Sequence, residues 1–137
     1  MKKFIIYTDG GSRGNPGPAG IGAVVYDESK KVLAEVSEFL GVTTNNQAEY
    51  KAVIAALKKA KELGGEELDF YLDSELVVKQ LRREYKVKHP ELAPLFLEIY
   101  NLSLAFPKIN YTHVRREYNK EADKLANLAM DKGMGII

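Results

Sequence analysis

The chain has 137 residues, 45% of them apolar, enough for one sizeable core and too few for two ordinary domains, so a single domain over residues 1–137 is expected. Its 20 basic and 19 acidic residues leave a formal net charge of +1, so no bulk excess advertises a polyanion partner and any such site must be local. The absence of cysteine excludes disulfides, thiolate metal sites and cysteine nucleophiles, and the apolar run Phe4–Tyr7 is too short for a signal peptide or membrane span, so the default expectation is a soluble, cytoplasmic protein.

Lys3–Asp9 (KFIIYTD) is a β-branched and aromatic run stopped by Gly10 and Gly11; it reads as a buried strand with Asp9 at its carboxyl end. Ser12–Gly20, rich in glycine and proline, predicts an ordered loop, followed by strands over Ile21–Tyr26 and Lys31–Phe39 with Asp27–Lys30 as the turn. Thr44 and Asn45 are good N-cap types, and Ala48, Ala52, Ala55, Ala56, Ala60 and Leu63 recur at helical spacing until Gly64 and Gly65. Leu68–Asp73 (LDFYLD) is a second strand ending in a carboxylate, and Ser74 caps a helix predicted to run to about Tyr85. A helix from Glu91 to about Ala105 follows, with an apolar face that predicts core contact. The last elements are a strand, Lys108–Val114, and a helix from Asn119 to about Lys132, with Gly133 as its stop.

The resulting order, βββαβααβα, has no repeat or long linker and indicates an α/β fold. Right-handed crossovers make strands one, four and five parallel, with the hairpin strands extending the sheet antiparallel. Both strand-end aspartates then emerge on one edge, where open α/β sheets bind ligands.

Four carboxylates lie among small or apolar neighbours instead of in a solvated charge run: Asp9, Glu49, Asp73 and Asp123. Singly, each has a plain structural explanation as a turn residue or a first-turn acid answering the helix dipole. Gathered together, they need protons, cationic partners or metal to offset repulsion and desolvation. All-oxygen ligation selects Mg²⁺ or Mn²⁺ over zinc, and two such ions about 3.5–4 Å apart recur in phosphoryl-transfer nucleases.

At these residues the sequence resembles the ribonuclease H type 1 family. Asp9 stands in YTDGGSRGNPGPAGIGAVV, Glu49 in TTNNQAEYKAVIAAL, Asp73 in YLDSELVVKQL and Asp123 in HVRREYNKEADKLANLA, so the likeness covers nearly the whole chain in order. The resemblance implies a five-stranded mixed sheet with helices on both faces and hydrolysis of the RNA strand of RNA–DNA hybrids, leaving 5′-phosphate and 3′-hydroxyl ends. It further implies that Asp9, Glu49, Asp73 and Asp123 are catalytic and hold two Mg²⁺ ions, with Mn²⁺ as a substitute. Asp9 would bridge both metals, Asp123 would complete the nucleophile-side site, and Glu49 with Asp73 the leaving-group-side site. Gly11, Ser12, Asn15, Thr44, Asn45 and Asn46 become the expected substrate contacts, with Thr44 on a DNA-strand phosphate and Asn15 and Asn45 at the minor groove. N-capping is the competing reading of Thr44. A monomer that binds hybrid nucleic acid and no membrane is expected.

Three features depart from well-known bacterial members. The mobile loop before the last helix is short, and its only histidine, His113, is expected to serve packing or a strand-end hydrogen bond, leaving Arg116 or Glu117 to fill the space. The basic, aromatic protrusion of larger relatives is replaced by a modest patch of Arg82, Arg83, Lys86 and Lys88 with Tyr85 interleaved. Glu75 stands where relatives often carry an amide. Rival readings are a nuclease of the same superfold acting on another duplex, and a hybrid-binding module without catalysis, though the latter is at odds with an intact set of four acids.

Overall fold

The computed structural model describes Met1–Ile137. Its strands are β1 (Lys3–Ser12), β2 (Gly17–Tyr26), β3 (Val32–Thr43), β4 (Glu67–Leu72) and β5 (Lys108–His113). Its helices are α1 (Asn45–Glu62), α2 (Glu75–Leu81), α3 (Ala93–Ser103) and α4 (Lys120–Gly133), with a 3₁₀ turn at Arg116–Tyr118 before α4. The strands form one mixed sheet in the order β3-β2-β1-β4-β5. β1, β4 and β5 run parallel and β1-β2-β3 antiparallel, as the crossover argument predicts.

Alternation along β1 sends Phe4 and Ile6 into the main core and leaves Ile5 and Tyr7 half-buried on the opposite face. Tyr50, Val53 and Leu57 of α1 join that core, each such buried side chain contributing roughly 1.5–3 kcal/mol. α4 lies across β2 on the other face, where a Cβ on Gly22 would stand 2.2 Å from the Ala122 carbonyl oxygen. Helices on both faces are therefore as expected.

The glycine- and proline-rich segment departs from its predicted loop. β1 continues to Ser12, which pairs with Ala19, and β2 begins at Gly17, so the connection is only residues 13–16. Poor local strand propensity is overridden there because small residues let a helix rest directly on the sheet. β3 likewise extends beyond Phe39 to Thr43. α2 stops at Leu81, well short of Tyr85, and Arg83 adopts φ 63° just beyond it. α3 is shorter than predicted and only partly a core helix: Ile99 is buried, whereas Leu97 is 58% exposed.

Candidate active site

Asp9 and Asp73 meet through strand register. Tyr7 and Tyr71 are the last parallel partners of β1 and β4, and the two aspartates lie two residues further on, hence on one face. Asp73 follows the end of β4 as predicted. Asp9, by contrast, does not end its strand, because β1 keeps its pairing with β2 to Ser12 after parting from β4.

Glu49 is brought in by α1, whose start is fixed by a reciprocal cap. The Thr44 hydroxyl accepts from the Gln47 backbone N–H at 3.2 Å, and the Gln47 side-chain oxygen accepts from the Thr44 N–H at 3.2 Å. The helix presses onto β1 at Gly10, where an added Cβ would lie 2.3 Å from the Ala48 backbone. That close approach lets the Gly10 N–H donate to Glu49 Oε1 at 2.7 Å.

Carboxylate oxygens of Asp9, Glu49 and Asp73 all lie within 4.8 Å of one another. Asp123, in the first turn of α4, stands near enough for its charge to raise Asp9 further. Three of the four predicted acids thus share one cluster, and Asp123 stands at its edge beside Asp9. Burial, followed by the charges of Glu49 and Asp73, raises Asp9 far above the ordinary carboxylate range. Burial and then Asp73 raise Glu49 as well, opposed by the Gly10 N–H, by Asp9 and by the charge of Arg116. In a metal-free chain the cluster therefore retains protons. Its donors are all hard oxygens, which suits a divalent cation that would offset the repulsion.

Arg116 is thus the member of the short loop whose charge reaches the acids, whereas Glu117 bonds Arg115 at 3.4 Å. His113 ends β5 with Nδ1 3.8 Å from Glu75 and its side chain 38% exposed, a strand-end contact and not a packed core residue. His89 is exposed in the connection before α3.

Asn119 is a site residue that the sequence reading passed over as a helix start. It stands at the N-cap of α4 but makes no capping bond. Its amide donates instead to the Thr8 carbonyl at 2.9 Å and to Asp73 Oδ2 at 3.2 Å, and the residue is 1% exposed. Asparagine before a helix signals a cap, so only the packing of α4 against β1 and β4 reveals this second use.

The expected substrate group forms one patch. Asn15 Oδ1 accepts from the Asn45 backbone N–H at 2.9 Å, and Asn45 Oδ1 accepts from the Ser12 N–H at 3.3 Å. Gly11 lies against Asn45 as well, and the next residue, Asn46, is half-buried with no side-chain hydrogen bond. Both amide oxygens of Asn15 and Asn45 are engaged, leaving their NH₂ groups as the outward donors. Of the basic patch, Arg82 pairs with Glu84 at 2.8 Å and Arg83 lies over the Tyr100 ring at 4.9 Å. Only Lys86 and Lys88 remain as unpaired exposed cations there. Next to the acids, Tyr7, Tyr26, Tyr71 and Asn119 line an open cleft of about 510 Å³ on the α4 face of the sheet.

Residues 7–129 match the family described as Reverse transcriptase-like. A bifunctional protein of Mycobacterium tuberculosis is 50% identical over 130 residues, 94% of this chain but 36% of its own length, so the chain spans about a third of that relative. Ribonuclease H of Clostridium botulinum is 38% identical over 152 aligned residues, covering 96% of this chain and 98% of that protein. Among solved structures, LC11 ribonuclease H1, from a compost metagenome and solved with an RNA/DNA hybrid, superposes with a TM-score of 0.92 at 46% identity. That match covers 96% of this chain and 99% of the other. With the fold, the four acids and these matches together, the chain belongs to the type 1 ribonuclease H family.

Proposed function

We propose that this chain is an endonuclease that hydrolyses the RNA strand of RNA/DNA hybrids, leaving 5′-phosphate and 3′-hydroxyl ends. The observation that carries the reading is the cluster of Asp9, Glu49 and Asp73, with Asp123 at its edge, in a fold that also presents a patch of outward amide donors. A similar protein, LC11 ribonuclease H1, has been solved with such a hybrid. Asp9, Glu49, Asp73 and Asp123 would hold two Mg²⁺ ions, with Mn²⁺ as a substitute. When bound, these ions would supply activation of the attacking water and neutralisation of charge on the leaving oxygen.

The chain's own residues supply placement. Gly10 fixes Glu49 from the backbone, and Asn119 fixes Asp73 from its side chain. Gly11, Ser12, Asn15, Thr44, Asn45 and Asn46 form the surface offered to the duplex. NH₂ groups of Asn15 and Asn45 suit the minor-groove acceptors, which are largely insensitive to sequence. At Thr44 the hydroxyl also donates to Gln47 Oε1 at 3.0 Å, so contact with a phosphate requires that proton to turn away from the cap. A cytoplasmic monomer acting on hybrid nucleic acid completes the reading.

A hybrid labelled on its RNA strand tests it, incubated with and without Mg²⁺ against the native chain and Asp9→Asn. Metal-dependent cutting of RNA alone, lost in the variant, is expected. Preferential cutting of duplex DNA, or no cutting in either Mg²⁺ or Mn²⁺, would overturn the assignment.

A further inference from the structure

Asp123, Asn127 and Asp131 are spaced four residues apart on α4 and so share one face of the helix. Arg13, from the connection between β1 and β2, lies across that face. Its Nη1 pairs with Asp131 Oδ1 at 2.7 Å, while Nη2 donates to Asn127 Oδ1 at 3.2 Å and to the Asn127 carbonyl at 3.4 Å. A guanidinium only donates, so the amide oxygen of Asn127 must face Arg13 and the NH₂ end must face the other way. That end donates to Asp123, at 3.0 Å to its carbonyl and at 3.3 Å to its carboxylate Oδ1.

One carboxylate oxygen of Asp123 is therefore linked through Asn127 to an arginine in the connection that carries Asn15. Arg13 would pass for a phosphate contact in a glycine-rich loop, yet both its terminal nitrogens are spent on α4. We propose that Asn127 is the positioning residue for Asp123 and that Arg13 acts through it, coupling the duplex-facing connection to the acidic cluster. The inference rests on the proposed nuclease activity. It adds that this arm of the site is aligned by a side-chain relay, where Glu49 is aligned by the backbone.

The test is a double-mutant cycle on the full chain with Asn127→Ala, Arg13→Gln and both together, reading kcat and KM on hybrid, Mn²⁺ affinity by calorimetry and the thermal midpoint. Asn127→Ala is expected to lower kcat or Mn²⁺ affinity about 10–100-fold, the range for residues that orient metal ligands, with KM within about twofold. Arg13→Gln should lower kcat less, and the double variant should be no worse than Asn127→Ala alone. Asn127→Asp keeps the shape and the Arg13 contacts while replacing the donor with an acceptor, so it should lose kcat at least as severely without unfolding.

Additive losses in the double variant, or an Arg13 effect confined to KM and deepened by salt, would make Arg13 a phosphate contact and overturn the relay. Unchanged kcat and Mn²⁺ affinity in Asn127→Ala would do the same for Asn127. If the native chain cuts no hybrid, the functional reading fails, while the Mn²⁺ comparison still decides the positioning role.

Discussion

The acids at the two ends of the cluster are held in different ways. Asp9 and Glu49 are buried, on a strand and a helix so close that Gly10 is the spacer between them, and a backbone N–H fixes Glu49. Asp73 and Asp123 are half-buried, and each takes its donor from an asparagine side chain, Asn119 or Asn127. Backbone placement leaves little freedom, whereas a side-chain amide can rotate or be substituted. The inner pair thus forms a fixed floor for cations, and the outer pair forms adjustable walls.

The largest expected effect lies on the floor. Asp9→Asn or Glu49→Gln should reduce hybrid cleavage by more than about 10³-fold, because the several kcal/mol of charge stabilisation at stake convert at tenfold per 1.4 kcal/mol. Initial rates on RNA-labelled hybrid measure this. A smaller effect is expected on the walls, where Asn119→Ala should cost about 10–100-fold in rate. That substitution also frees the Thr8 carbonyl of its partner, lowering stability by ~1–3 kcal/mol in a denaturant titration. Should Asn119→Ala abolish cleavage as fully as Asp9→Asn, the contrast between floor and walls disappears.

The smallest effect concerns stability against pH without metal. Asp9 and Glu49 keep protons in the folded chain that the unfolded chain has already released, so folding binds protons and stability falls as pH rises. The window runs from the ordinary carboxylate range to about 9 for Asp9. In chelator at the top of that window, Asp9→Asn should melt about 3–5 °C above the native chain, equivalent to ~1 kcal/mol. The difference should vanish in acid, where both forms are neutral. Equal melting points throughout would mean that the floor carries no stored repulsion.

Much of this was legible in the residues. Helical alanine spacing places α1, the apolar runs place β1 and β4, and the crossover rule orders the sheet, because each depends on local periodicity and chirality. The four acids stand out for a related reason: a carboxylate among small and apolar neighbours has no cheap place in a fold unless it is used. Element ends were read less well. Gly17–Gly20 forms strand against local propensity, and α3 has fewer buried positions than its apolar content suggests.

What the sequence by itself determined is the order of elements and the pairing of strands, and it singled out the acids that the fold then draws together. Tertiary structure alone decided which groups hold those acids in place. Asn119 and Asn127 lie 46 and four residues from the carboxylates they serve, Arg13 lies 114 residues from Asn127, and Arg116 rather than Glu117 lends its charge to the cluster. Side-chain amides and guanidinium groups carry no periodic signature and can bond in several directions. Their partners are set only when α4 packs onto the sheet, where glycines such as Gly22 let it come close.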